Sequence, residues 1–341
     1  MRSIFWESCS VKLIDQTKLP EKLEVVECRG VDQLIDAIKK LSIRGAPALE
    51  AAGAYGVALS AFEKEFSNVE EMKRYLIEKA EKLKNARPTA VNLSVGVKRV
   101  LDSALKGRSV DEIRKIALTE AEKVAEEDVK RNKMIGKIGA ELLEDDDVIL
   151  TYCNTGKLAT VDWGTALGIV RSAVEVGKKI KVFACETRPL NQGSRLTCWE
   201  LMQDGIDVTL IADNMVGTVM KKKMVKKVIV GADRIVRDAV FNKIGTYTIA
   251  IVAKEHKIPF YVAAPTTTFD WDKCSDEVVV EERDPNELIY CGEKVLAPKN
   301  VKVYNPAFDA TPLSYVTAIV TELGIVWPPY ELNVPNILKN K

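Results

Sequence analysis

Two apolar runs in the second half of the chain end on reactive side chains. Val148-Ile-Leu-Thr-Tyr-Cys153 ends on a thiol, followed by Asn154-Thr155-Gly156, a loop able to present backbone amides. Val228-Ile-Val-Gly-Ala-Asp233 ends on a carboxyl. If both runs are parallel strands of one sheet, their carboxyl ends open on the crevice where such sheets bind ligands. A thiol and a carboxyl in one crevice can pass protons to and from a bound molecule. Position alone leaves structural alternatives open. A strand-end thiol is commonly a packed core residue, the reading given to Cys185. Asp233 has Arg234 and Arg237 as nearby ion-pair partners, or a helix to cap.

A second set of residues points to anion binding. Arg44-Gly45-Ala46-Pro47, Arg87-Pro88 and Arg188-Pro189 each place an arginine before a proline suited to open a helix. A cation there opposes the positive end of the helix dipole, and an anionic ligand resolves the conflict. Backbone N–H groups at a helix start, with an arginine beside them, bind phosphate well. Gly45 permits close approach, and the small-residue stretch Ala46 to Gly56 suits a tightly packed helix. For any one arginine, a surface carboxylate remains an equally good partner. Asn242-Lys243-Ile244-Gly245-Thr246 adds an amide, an ammonium and another helix start, and Gln192-Gly193-Ser194 reads as a helix entry with Ser194 as cap.

Other chemistries are excluded by what the chain lacks. Its single histidine, His256, lies in the run Lys254-Glu-His-Lys257 and reads as a solvated helix end. That disfavours Ser-His-Asp and Cys-His hydrolases and two-histidine zinc sites. Neither GxxxxGK[ST] nor GxGxxG occurs, which disfavours ATP hydrolysis and dinucleotide binding. The seven cysteines include no CxxC pair, and an odd set of scattered thiols suits a reducing compartment. A formal net charge of +1 gives no overall footprint for nucleic acid or an anionic membrane. With no long apolar segment either, a cytoplasmic protein is expected.

The elements that must position these residues change in period along the chain. From about Val31 to Gly139 the spacing is helical: Leu34-Ile35 with Ile38 and Leu41, then Met72, Tyr75, Leu76 and Leu83, then a charged amphipathic stretch from Val110 to Ile138. After Asp147 short apolar runs alternate with helix-length segments: Val148–Cys153, Lys181–Thr187, Val208–Ala212, Val228–Asp233 and Phe260–Ala264. This predicts an α/β protein, with a mainly helical N-terminal domain (1–145) and a Rossmann-like parallel-sheet domain (146–341) divided near the acidic run Glu144 to Asp147.

Seven motifs, in order, resemble the methylthioribose-1-phosphate isomerases: Ile43-Arg-Gly-Ala-Pro-Ala48, Arg87-Pro-Thr-Ala-Val-Asn-Leu93, Cys153-Asn-Thr-Gly156, Glu186-Thr-Arg-Pro-Leu-Asn-Gln-Gly193, Gly231-Ala-Asp-Arg-Ile235, Asn242-Lys-Ile-Gly-Thr-Tyr247 and Asn305-Pro-Ala-Phe-Asp309. That group is related to ribose-1,5-bisphosphate isomerases and to regulatory subunits of the eukaryotic guanine-nucleotide exchange factor for translation initiation. The resemblance implies an aldose-to-ketose isomerase of methionine salvage, working without metal or cofactor and forming a homodimer. It implies Cys153 and Asp233 as the catalytic pair, and substrate contacts at Arg44, Gly45, Ala46, Arg87, Gln192, Asn242 and Lys243. Asp233 would protonate the ring oxygen while Cys153 acts at C1 and C2, by a cis-enediol or a hydride shift. The alternatives are a ribose-1,5-bisphosphate isomerase and a non-catalytic regulatory protein. Two departures stand out: Tyr152 replaces the family's usual histidine, and the stretch from Arg234 to Phe241 lacks the expected glycine turn.

Overall fold

The computed structural model describes residues 2–87 and 90–339. They fall into two compact units: residues up to Lys130 together with Lys157–Gly164, and Arg131–Gly156 together with Thr165 onward.

The first unit begins with an antiparallel sheet of β1 (Ile4–Glu7), β2 (Ser10–Ile14) and β3 (Val25–Cys28). Ser8 and Cys9 turn the first hairpin with φ of 52° and 57°, a backbone twist that suits two paired strands. Helices α1 (Val31–Lys39), α2 (Ala46–Phe62), α3 (Val69–Lys84) and α4 (Val91–Ala104) follow. In α1 the residues spaced three and four apart, Leu34, Ile35 and Ile38, face the core. The helix stops before Leu41, whose φ is 61°. In α3, Met72, Leu76 and Leu83 are buried, and the Asn68 side chain caps the start by accepting the Glu71 N–H at 2.9 Å. The small residues of α2 allow its backbone to meet that of α4. A methyl group at Gly53 would come 2.4 Å from the Leu93 carbonyl oxygen, and one at Gly96 2.0 Å from that of Glu50.

The long helix α5 (Val110–Ala140) supplies Ile113, Ala117 and Ala121 to the core of the first unit and Ile135 and Ala140 to that of the second. On the chain the division between units falls inside this helix. The acidic run 144–147 lies within the second unit, where Asp147 is buried and paired with Lys227. No helix among the described residues is long and apolar enough to cross a membrane.

The second unit contains β4 (Asp147–Thr151), β5 (Ile180–Cys185), β6 (Asp207–Ile211), β7 (Lys227–Val230), β8 (Arg234–Ile235), β9 (Ala239–Lys243), β10 (Phe260–Ala263), β11 (Tyr290–Cys291), β12 (Lys294–Val295), β13 (Phe308–Pro312), β14 (Ala318–Thr321) and β15 (Gly324–Val326). Seven of these form one sheet in the order β15-β14-β10-β7-β4-β5-β6, parallel except for β15 at one edge. Helices α6 (Ala166–Glu175), α7 (Cys198–Gln203), α8 (Val216–Lys221) and α9 (Thr246–Glu255) lie between successive parallel strands in the chain. Alternate strand residues face opposite sides of the sheet. Val228, Val230, Phe260 and Val262 enter one core, and Ile149, Ile229, Tyr261 and Ala263 the other. That two-sided burial is why these runs are almost continuously apolar.

The five apolar runs read from the sequence are five strands of this sheet. Each ladder closes before its run ends, at Thr151, Cys185, Ile211, Val230 and Ala263. Cys153 and Asp233 therefore lie on the loops that leave the strands. From β4 the sheet builds outward through β5 and β6, and the chain then returns to the other side of β4 with β7, β10 and β14. The winding direction reverses between β4 and β7, the position at which open α/β sheets form a ligand crevice.

Candidate active site

β4 and β7 pair in parallel with Leu150 opposite Val228, and the Thr151 hydroxyl donates to the Ile229 carbonyl at 2.8 Å. Just beyond, the two departing loops touch. A methyl group at Gly231 would come 2.5 Å from Cγ2 of Thr155, so glycine here lets the loop carrying Asp233 lie against the loop carrying Cys153. Cys153 is buried and its backbone is left-handed, with φ of 62°. Its N–H donates to Oγ1 of Thr187 at 2.9 Å, and its carbonyl accepts from Oγ1 of Thr197 at 2.6 Å. Thr187 is also left-handed (φ 66°) and is fixed in turn by Asp213, which accepts the Thr187 and Arg188 N–H groups at 2.8 Å each. Residues other than glycine held in this region cost on the order of 1–3 kcal/mol each and concentrate at functional sites.

The remainder of the Cys153 loop rests on a buried charge network. Asn154 Nδ2 donates to Glu200 at 2.9 Å, and Glu200 pairs with Arg171 at 2.7 Å, which also meets Asp204 at 2.6 Å. Glu200 is 0% and Arg171 6% exposed. Gly156 packs so closely on Glu200 that a methyl group would come 2.2 Å from its carboxylate. Cys185, read as structural, is fully buried, and that burial pushes its thiol well up.

Asp233 is half-buried, and its N–H donates to the Phe241 carbonyl at 2.9 Å. The two arginines beside it have other partners: Arg234 lies 3.6 Å from Asp270, and Arg237 donates to the Asp272 carbonyl at 3.0 Å. The segment that lacks the expected glycine is the β8–β9 hairpin. Its turn closes with the Val236 N–H on the Ala239 carbonyl at 2.9 Å, and no residue from 234 to 241 has positive φ. Such a turn has no need of glycine. Asp238 anchors it by accepting the Ser275 N–H and hydroxyl at 2.8 and 2.6 Å.

Asn242 and Lys243 end β9 and are 3% and 7% exposed. Asn242 Nδ2 donates to the Thr246 hydroxyl at 3.1 Å, which donates to the Lys243 carbonyl at 2.7 Å. The turn after them passes through Gly245 (φ 104°) into α9. Asp309, opposite Asn242 on β13, accepts the Gly245 N–H at 2.7 Å and the Tyr247 N–H at 3.2 Å, capping the helix from a neighbouring strand. Tyr152 holds the same turn from the other side: its hydroxyl donates to the Ile244 carbonyl at 2.8 Å, and a methyl group at Gly245 would come 2.4 Å from it. Tyr152 therefore ties the Cys153 loop to the Asn242–Lys243 turn. Burial pushes the Asp309 carboxyl up to about 6, outweighing its N–H bonds and the nearby Lys243 charge. The Lys243 ammonium lies 5.1 Å from the centre of the Phe308 ring and, among the described residues, donates no hydrogen bond.

Gln192 is 5% exposed, and its Oε1 has no hydrogen-bond partner among the described residues. It directly precedes a single widened helical turn, Gly193–Thr197. Ser194 does not cap that turn as expected; its hydroxyl donates back to the Asn191 carbonyl at 3.2 Å. The Arg188-Pro189 expectation also fails. That peptide is cis, Pro189 sits in a turn instead of opening a helix, and the guanidinium is satisfied by the carbonyls of Pro189, Glu287 and Leu288.

In the first unit, Gly45 is the N-cap of α2 and Pro47 lies in its first turn, as the sequence predicts. Arg44 Nε donates to Gln16 at 2.9 Å, and Gln16 donates to the Leu158 carbonyl at 2.7 Å. Gly45 has φ of 98°, and a methyl group there would come 2.4 Å from the Ala159 carbonyl oxygen, so the backbone at Gly45 lies directly against this segment. Arg87 precedes Pro88 and Thr89, which lie outside the described residues. The helix after them starts at Val91, with the Ala90 N–H on the Arg87 carbonyl at 3.0 Å.

One group among the described residues has the donor set of a metal site, Cys274, Asp276 and Glu277, with atoms within 4.8 Å of one another. It is a local capping turn in which Glu277 accepts the Cys274 N–H at 2.7 Å.

This arrangement has counterparts. A relative from Archaeoglobus fulgidus, provisionally named methylthioribose-1-phosphate isomerase, is 70% identical over 339 residues, 99% of this chain and 100% of the relative. The crystal structure of a 5-methylthioribose 1-phosphate isomerase from Pyrococcus horikoshii superposes with a TM-score of 0.94 at 42% identity, covering 100% of this chain and 96% of that one. A crystal structure from A. fulgidus described as translation initiation factor eIF-2B, subunit delta, is also similar, with a TM-score of 0.93 and 70% identity over 99% of both chains. The Initiation factor 2 subunit family matches residues 42–328, and the chain belongs to that family.

Proposed function

We propose that this chain is an aldose–ketose isomerase that converts 5-methylthioribose 1-phosphate to 5-methylthioribulose 1-phosphate in methionine salvage, and hence in methionine biosynthesis. The observation that carries this is the reversal of winding between β4 and β7, which leaves Cys153 and Asp233 on touching loops at the crevice end of the sheet. Full-length similarity to an isomerase of known structure supports it.

The phosphate on the anomeric oxygen blocks ordinary ring opening, so an acid must protonate the ring oxygen as the ring breaks. Asp233 supplies that proton, and Cys153 then assists the transfer of hydrogen from C2 to C1. Lys243, buried and donating no hydrogen bond among the described residues, and Asn242 beside it bind the anionic end of the substrate, and Gln192 contacts the sugar. Arg44, Gly45, Ala46 and Arg87 complete the proposed substrate contacts. The protein acts as a cytoplasmic homodimer and needs no cofactor.

One observation favours a second reading: the 70% identical A. fulgidus structure is named as an initiation-factor subunit. A regulatory protein of that kind would be indifferent to methylthioribose 1-phosphate and to changes at Cys153. Incubating the purified protein separately with methylthioribose 1-phosphate and ribose 1,5-bisphosphate, and following ketose formation by NMR, decides among the three. Turnover of the first supports the salvage isomerase, preference for the second keeps the chemistry and changes the substrate, and folded protein that turns over neither refutes both.

A further inference from the structure

We infer that Thr155 is a further substrate contact, its hydroxyl held for a hydroxyl group of the bound sugar. This rests on the proposal that the crevice takes a sugar phosphate. Thr155 is 9% exposed, and its Oγ1 has no hydrogen-bond partner among the described residues. The residue is held firmly: its carbonyl accepts the Thr165 N–H at 2.9 Å and the Leu167 N–H at 3.4 Å at the start of α6, and its methyl group packs on Gly231.

A buried hydroxyl without a bond is a cost that the isosteric valine would avoid and that a partner from outside the chain would offset. Gln192, itself a proposed substrate contact, shows the same signature, a buried side chain whose oxygen has no hydrogen-bond partner among the described residues. Asp147, which also carries such an oxygen, begins β4 at the opposite end of the strand and is paired with lysines. Thr155 instead lies beyond the C-terminal end of that strand, two residues after Cys153 and against the glycine two residues before Asp233. A hydroxyl at that point can both accept from and donate to a sugar hydroxyl, and it would hold the carbon chain between thiol and carboxyl.

Thr155→Val and Thr155→Ser separate this role from packing. With methylthioribose 1-phosphate as substrate, Thr155→Val is expected to lose about 10- to 100-fold in kcat/KM while its melting temperature holds or rises. Thr155→Ser, which keeps the hydroxyl, is expected to stay within a few-fold of the parent. Thr155→Val with the parent's kcat and KM would overturn the inference, and so would equal losses in both variants accompanied by lower melting temperatures. Failure of the unaltered protein to turn over any sugar phosphate would instead refute the proposed function, and this inference with it.

Discussion

Asp309→Asn tests the electrostatics of the turn that carries Lys243. The Asp309 carboxyl is raised from an ordinary 3.8 to about 6 by burial, so the folded protein holds its proton more tightly than the unfolded chain does. At ~1.4 kcal/mol per unit this corresponds to roughly 3 kcal/mol of stability. A group with this sign stabilises the fold while protonated. Its contribution is fully present below pH 4 and is lost as the pH rises from about 4 to about 6, because ionising the buried carboxyl costs more than the Gly245 and Tyr247 N–H groups return. Asparagine keeps an acceptor for those N–H groups and cannot ionise. The stability of Asp309→Asn relative to the parent should therefore improve by about 3 kcal/mol between pH 4 and pH 7, or roughly 6–12 °C in melting temperature for a domain of this size. Melting both proteins by calorimetry across that range reads the difference directly and cancels the carboxylates they share. A gap that stays constant, or narrows with rising pH, would refute this account of the turn.

Two further substitutions probe the site's supports. Glu200→Ala takes a carboxylate away from the buried Arg171 and from the Asn154 amide, so calorimetry should show a loss of about 3–5 kcal/mol; a loss under about 1 kcal/mol would contradict the buried network. Lys243→Met removes a buried ammonium that donates no hydrogen bond among the described residues, so stability should hold or rise. In steady-state assays of the same variant, KM should rise about 10- to 100-fold, the value of an ionic hydrogen bond to phosphate; an unchanged KM would remove Lys243 from the site.

The sheet was legible in the sequence because its strands are buried on both faces and therefore read as unbroken apolar runs. β14 and β15 escaped because Ala318-Ile-Val-Thr321 is short and the hairpin to Gly324 breaks the strand–helix alternation. The N-terminal sheet escaped for a local reason. Its first hairpin turns through Ser8-Cys9, both with positive φ, where Asn-Gly is the usual signal. The crevice followed from strand-end reasoning, but which strand ends are neighbours did not, since β4 and β7 are paired across some 80 residues of chain that no local pattern spans. The arginine–proline pattern found the start of α2 and failed at Arg188, whose cation is satisfied by backbone carbonyls. Asp309 and Tyr152 act through partners distant in sequence, the Gly245 turn in both cases, so the spacing of their own segments does not mark what they hold.

The most direct test of the central claim, that Cys153 and Asp233 together carry the isomerisation, is NMR-monitored turnover of methylthioribose 1-phosphate by the parent, Cys153→Ser and Asp233→Asn. Turnover by the parent, with kcat lowered about 10²- to 10⁴-fold in each variant and melting temperatures retained, is the predicted result. Parental turnover in either variant would contradict it.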